Sequence, residues 1–323
     1  MRQYLSGTAN QRTQKSKLGM SVADERANLD AFMSRLSIPE KVVFEDLTLG
    51  GRPARKVLPN DLAADGAVLF FHGGGYRVGS LDGYKSFMAY LALACGVPVY
   101  GLDYRLSPEH TYPAALNDAV SAFVELSQSV EPERIMWVGD SAGGGLALAS
   151  LLTLKEKGLA LGGAAALLSA WLDGTASGDS YGERRAEFST GMRGYAGDFP
   201  LDTVGVSPLF GDHEGLPPLL LQVVNTEPMR DDSTQLQQRA SAAGVDSRID
   251  VFANGFHDFQ IFTDIPEART AINALPSKFC PFHLPPWSAC LTERPMPQMR
   301  SFAAASASVT YTPHGRFARI AER

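Results

Sequence analysis

The chain has 323 residues, 45% hydrophobic and 20% charged, a balance that excludes a disordered, fibrous or coiled-coil protein. Twenty-nine Lys and Arg stand against 35 Asp and Glu, a formal net charge of −6, which argues against nucleic acid or an anionic membrane as the main partner. No apolar run approaches the roughly 20 residues of a membrane span. No apolar leader opens the chain, so a cytoplasmic location is expected. Cys95, Cys280 and Cys290 make neither a disulfide framework nor a four-ligand zinc set, and no metal is expected.

The first twenty residues are polar and read as loosely ordered. Over 21–36, Val22, Leu29, Phe32, Met33 and Leu36 recur at helical spacing. Ser21 is placed to cap that helix, Asp24 and Glu25 suit its first turn, and Pro39 stops it. Segments 42–49 and 52–58 alternate apolar with polar around Gly50-Gly51, the pattern of a hairpin. Short apolar runs at 67–72, 97–102, 135–139, 164–170, 219–225 and 248–252 then read as buried parallel strands. Crossover helices fit at 84–95, 114–128, 142–157 and 232–243. A hairpin followed by β-α repeats predicts a mostly parallel sheet covered on both faces. Residues 173–215, rich in Gly, Ser, Arg and aromatics without clear periodicity, read as an insertion over the sheet. Beyond 279 six prolines and a low-complexity stretch suggest a loosely attached tail.

The strongest local signal is Gly139-Asp140-Ser141-Ala142-Gly143, set between a predicted strand and a predicted helix. It matches the G-x-S-x-G elbow that exposes a serine on a strained turn; a plain loop with a capping serine is the competing reading. His72-Gly73-Gly74-Gly75-Tyr76 follows another predicted strand. Consecutive glycines let backbone N–H groups converge, as an oxyanion requires, and the N–H of Ala142 at the positive end of its helix can point to the same place. A phosphate loop is disfavoured because no Lys-Ser/Thr follows and no GxGxxG is present.

Of six histidines, His257 in Asn254-Gly255-Phe256-His257-Asp258-Phe259 falls just past the carboxyl end of the last strand, where open α/β sheets bind ligands. His72 and His110 read as loop-ordering residues, and His213, His283 and His314 are given no role. An orienting carboxylate is expected after the strand 219–225. Glu227 is nearest its end and preferred; Asp231 is the second candidate, and helix capping accounts for Asp231 and Asp232 equally well. Tyr76, Phe188, Met192, Tyr195 and Phe199 are candidate pocket liners, since small-molecule sites are mostly apolar.

These stretches, with Asp103-Tyr104-Arg105-Leu106-Ser107-Pro108-Glu109-His110, Pro113-Ala114-Ala115 and Leu216-Pro217-Pro218-Leu219, resemble the hormone-sensitive-lipase-like branch of the α/β-hydrolases, the bacterial family IV esterases. The resemblance runs in order over about residues 20–279. It implies an α/β-hydrolase fold: a mostly parallel eight-stranded sheet, helices on both faces and a small helical cap. Residues 1–40 would be an N-terminal cap segment, 41–279 the catalytic domain with its cap insertion at about 173–215, and 280–323 an atypical tail. The implied activity is that of a cofactor-free serine carboxylesterase on short- to medium-chain acyl esters, with Ser141, Glu227 and His257 as triad. Gly74, Gly75 and Ala142 would be the oxyanion donors. Most relatives carry Asp where this chain has Glu227. A lactone hydrolase using the same triad and a non-catalytic receptor on the same fold are the alternatives, the second disfavoured because all three triad residues are present. The expected partner is a small ester or lactone, and the expected assembly a monomer or homodimer. A His257 pKa near or below neutral predicts activity that is low in acid and rises into mildly basic solution.

Overall fold

In the computed structural model, which describes residues 20–279, α1 (Val22–Met33) precedes the sheet. The expectations for 1–19 and 280–323 lie outside the described residues. The hairpin forms as its alternation predicts: β1 (Val42–Leu49) and β2 (Arg52–Pro59) pair antiparallel, with Leu49 opposite Arg52. Then come β3 (Ala67–Phe71), α2 (Lys85–Cys95), β4 (Val99–Leu102), α3 (Ala114–Leu126), β5 (Ile135–Asp140), α4 (Ala142–Glu156) and β6 (Ala164–Leu168). After an insertion holding α5 (Arg185–Ala196) the chain runs through β7 (Leu219–Val224), α6 (Arg230–Ala242), β8 (Ser247–Phe252) and α7 (Pro266–Phe279). The eight strands lie in the order β1-β2-β4-β3-β5-β6-β7-β8; β2 pairs antiparallel with both β1 and β4, and the remaining pairs are parallel. This is the α/β-hydrolase architecture.

Every residue of β3, β5, β6 and β7 is buried, which is why those runs are apolar without alternation. Successive side chains still part to opposite faces. Leu69 and Phe71 join the core beneath α3 and α4, where Trp137 stacks between Phe71 and Phe123; Val68 and Phe70 join the other core with α2 and α7. Several strands stop short of their apolar runs because the chain turns there into loops that carry the site. Beyond β6, for example, Ser169 adopts φ +45°.

Two helices are absent from the sequence reading. α5 is broken up by Gly191 and Gly194 and exposes much of its length, so its periodicity is weak. α7 starts at Pro266, a residue suited to a first helical position, and buries Ala268, Ala271, Ile272 and Leu275. α1 has the capping box implied by Ser21, whose Oγ accepts the Asp24 N–H at 3.1 Å, but it ends at Met33 rather than 36. Arg26 fastens it: its guanidinium makes two hydrogen bonds to Glu109, at 2.8 and 2.7 Å, and others to the carbonyls of Arg77 and Ser107. Among the described residues no helix is long and apolar enough to cross a membrane.

Candidate active site

Ser141 stands between β5 and α4 with φ +48° and ψ −115°, a conformation costing a non-glycine residue about 1–3 kcal/mol. Its neighbours hold it there. Its N–H donates to the Leu168 carbonyl at 2.8 Å, and its own carbonyl accepts the Trp171 N–H at 2.9 Å. The flanking glycines are demanded by close approach: a Cβ on Gly139 would collide with the Gly143 carbonyl, and one on Gly143 with the Phe71 carbonyl. The G-x-S-x-G spacing is therefore what lets strand, turn and helix pack with the serine at the tip.

The glycine loop after β3 turns beside it. Gly74 and Gly75 take φ +111° and +66°, and among the described residues their N–H groups have no protein acceptor. Asp140, fully buried next to the serine, sets this loop by accepting the Gly73 N–H at 2.9 Å and the Tyr84 hydroxyl at 2.8 Å. From β4's loop, Tyr104 stacks on His72 at 4.5 Å and donates its hydroxyl to the His72 carbonyl at 2.6 Å. Burial lowers the His72 pKa, so this ring is neutral; its Nδ1 lies 2.8 Å from the Gly73 carbonyl, which makes Nδ1 the protonated nitrogen. The sequence reading of His72 as a loop-ordering residue matches this placement. The N–H of Ala142, first in α4, is one of the donors a helix cannot satisfy internally.

Ser141, Glu227 and His257, separate in sequence, lie in one chain of hydrogen-bonding contacts. His257 Nε2 is 3.0 Å from Ser141 Oγ, and Nδ1 is 2.7 Å from Glu227 Oε2. Glu227 is aimed from behind: its Oε1 accepts the Val224 N–H at 2.7 Å and the Ser169 hydroxyl at 3.0 Å. Asp231 points elsewhere, accepting from Arg230 and from the Ser180 N–H, while Asp232 is buried beneath the insertion and accepts the N–H groups of Leu172 and Asp173. Ser169 and Tyr104 escaped the sequence reading because nothing local distinguishes a serine after one strand or a tyrosine after another.

Asp258 was also missed, although it follows the histidine directly. It sits at φ +59°, which aspartate tolerates better than most residues, and brings Oδ2 to 3.1 Å from the same Nε2 that faces Ser141. Burial opposes charge on His257, but Asp258 and Glu227 outweigh it and push the imidazole up to about 10. The side chain keeps 27% exposure, so solvent tempers the effect; the upward direction follows from a carboxylate on each ring nitrogen. The expectation of a pKa near or below neutral is corrected accordingly, because it considered only one carboxylate. Burial raises the Asp258 carboxyl against the pull of the imidazole, and raises Asp140 with help from the Asp258 charge.

A cavity of about 500 Å³ opens over Ser141, within the usual range for small-molecule sites. One wall is Leu29 and Met33 of α1 with Ile261 and Phe262; the other is Trp171, Met229 and the Phe188 face of α5. Of the five expected liners only Phe188 takes part. Tyr76 and Tyr195 stack on each other at 3.7 Å, fully buried, and Met192 is buried in the same core. They pack the glycine loop against α5 instead of facing substrate. Phe199 is 44% exposed and rests edge-on against Tyr112. Aromatic composition alone could not separate these packing roles from a pocket wall.

Comparison with known proteins agrees with the geometry. A family described as having the alpha/beta hydrolase fold matches residues 68–261. An acetyl-hydrolase of Streptomyces hygroscopicus is 37% identical over 233 residues, 68% of this chain and 75% of its own. The carboxylic ester hydrolase LipN of Mycobacterium tuberculosis is 31% identical over 256 residues, 70% of this chain and 68% of its own. Among solved structures, an esterase from the bacterial hormone-sensitive lipase family superimposes with a TM-score of 0.76 at 34% identity, covering 79% of this chain and 90% of that one.

Proposed function

From the premise that the chain belongs to the α/β-hydrolase family, in its hormone-sensitive-lipase branch, we propose that it is a serine carboxylesterase working through Ser141, His257 and Glu227 on short- to medium-chain acyl esters. The observation that carries this reading is the pair of contacts at 3.0 and 2.7 Å that join hydroxyl, imidazole and carboxylate in one line. The cavity of about 500 Å³ and the relatives named as acetyl- and carboxylic ester hydrolases support the substrate range.

With His257 neutral, Nδ1–H donates to Glu227 and the Nε2 lone pair faces the serine. As Oγ attacks the ester carbonyl, its proton passes to Nε2 and the imidazolium rests against Glu227. The carbonyl oxygen, now an anion, is held by the N–H groups of Gly74, Gly75 and Ala142, each such donor contributing about 3–4 kcal/mol to the transition state. The imidazolium returns its proton to the leaving alcohol. Water then enters, gives a proton to Nε2 and attacks the acyl carbon; as the acyl–Oγ bond breaks, the imidazolium returns that proton to Ser141 Oγ and the acid is released.

The test is a panel of p-nitrophenyl esters from acetate to palmitate, run beside lactones and a serine-reactive phosphonate. Hydrolysis of the shorter esters is expected, with labelling at Ser141. Ser141→Ala should abolish both while leaving the circular dichroism spectrum unchanged; a variant that still turns over ester would refute the reading. Turnover confined to lactones would move the substrate class without moving the triad.

A further inference from the structure

Nε2 of His257 has two oxygen neighbours at almost equal range, Ser141 Oγ at 3.0 Å and Asp258 Oδ2 at 3.1 Å. Catalysis by the proposed route needs only the first. A carboxylate and an imidazole lone pair repel; the contact with Asp258 is a hydrogen bond only when one proton lies between them, on the ring or on the carboxyl. Asp258 is held to that contact. It is 8% exposed, and among the described residues its other oxygen, Oδ1, is buried without a hydrogen-bond partner, so nothing else competes for the group. Its backbone is fixed as well, because the Asp258 N–H points to Ser169 Oγ at 3.4 Å, the hydroxyl that also donates to Glu227.

We propose that Asp258 is a positioning residue that latches a proton on His257 Nε2, so that the resting site holds one proton more than its active form. The proposal rests on the reading of His257 as the base. While the latched proton is present, the lone pair that must accept from Ser141 is occupied. Its loss to water leaves a neutral imidazole beside an Asp258 carboxylate, with Nδ1–H still on Glu227, and only this state can deprotonate the serine. The same carboxylate later favours the imidazolium formed as Ser141 attacks, so it slows the start of acylation and steadies its middle.

The charged surroundings act in the same direction. Glu227 after β7 and Asp140 at the end of β5 both favour a cationic ring; Tyr84, at the foot of α2, is committed to Asp140. Across the cavity, α1 offers Glu25, already paired with Arg77, and α5 offers Glu187, paired with Arg184. The two arginines that line the cavity among the described residues, Arg77 and Arg184, are thus each paired with a carboxylate of their own.

The experiment is the pH dependence of kcat/KM on p-nitrophenyl butyrate for the wild-type chain, Asp258→Asn and Asp258→Gly, residues that both tolerate the φ of +59°. Both variants should move the acid limb down by about one pH unit or more. At about pH 6, below the controlling pKa, that is a gain of about tenfold in kcat/KM. In parallel, the His257 imidazole of the wild-type chain is titrated by NMR and should titrate above the ordinary histidine value of about 6.5. An acid limb that stays in place in both variants, or a wild-type imidazole titrating at or below 6.5, overturns the proposal. Failure of the underlying reading has its own signature: ester turnover that survives Ser141→Ala.

Discussion

Replacing Glu227 by Gln tests the triad most sharply, because the surrounding donors decide which way the amide turns. In the wild-type chain Oε1 receives the fixed backbone N–H of Val224 and the hydroxyl of Ser169, while Oε2 receives His257 Nδ1–H. A glutamine could keep its oxygen toward the imidazole only by placing its NH2 against the Val224 N–H. That would leave a buried backbone donor unpaired, a cost of about 1–3 kcal/mol. The oxygen should therefore stay with Val224, and the NH2 should face Nδ1. Facing a donor, Nδ1 gives up its proton, the imidazole takes the Nε2–H tautomer, and the lone pair that serves Ser141 is lost. The analogous amide substitution in a serine-protease triad costs about 10⁴ in kcat, so a fall of about 10³–10⁴ is expected here, roughly 4–5.5 kcal/mol of barrier. Shape is conserved, so the melting temperature should move little. The assay is kcat and KM on p-nitrophenyl acetate with a thermal melt alongside. A Gln variant retaining kcat within tenfold of wild type would refute the assignment of Glu227 as the orienting acid.

Two glycines give opposite expectations for stability. Gly139→Ala forces a Cβ into the Gly143 carbonyl and should destroy the elbow, with loss of soluble folded protein or a large fall in melting temperature; an unchanged melt would contradict the packing described. Gly194→Ala adds a methyl where nothing lies within 4 Å, inside α5, and should stabilise by about 1 kcal/mol, or about 2–4 °C in the melt, while narrowing the cavity that Gly194 lines. A third concerns the fastening of α1. Arg26 holds the Glu109 carboxyl down from 4.5 to about 2, so the ion-pair part of the tether is complete above pH 4.5 and is lost as pH falls through 2, leaving the bonds to the Arg77 and Ser107 carbonyls. Hydrogen exchange in α1 should accelerate over that window relative to β5, and Glu109→Gln should already exchange at the fast rate above it.

The elements that were legible are those whose burial is one-sided in sequence terms. Ile135–Asp140 and Leu219–Val224 are read as strands because a parallel sheet covered on both faces makes its strands near-continuous apolar runs; the polar exceptions, Asp140 and Gln222, are buried with hydrogen-bond partners. The elbow was legible because Gly139 and Gly143 are each required by a backbone contact, which leaves a fixed spacing in the chain. His257 and Glu227, which the structure brings into contact, stand out in the sequence by their positions after strands β8 and β7. The pocket wall could not. Tyr76, Tyr195 and Met192 have the same composition as a lining residue and differ only in the layer they occupy, a fact set by how the insertion folds back over the sheet. Asp258 was invisible for another reason: its effect comes from a backbone torsion of +59°, which turns its carboxylate back toward the ring beside it.

The same torsion bears on how the site is tuned. A single carboxylate on Nδ1 fixes the tautomer and leaves the imidazole free to gain and lose a proton near neutrality. A second on Nε2 works against that tautomer, since it faces the other nitrogen and favours a proton there; with Nδ1–H held by Glu227, that is the doubly protonated ring. Burial penalises that cation, and for His257 the two carboxylates prevail over it. The strained serine, by contrast, is held by fixed backbone bonds to Leu168 and Trp171 whose strength does not change with protonation. Geometry and proton affinity are thus set by different parts of the fold, so a substitution at 258 should move the pH at which the site works without moving the serine that works there.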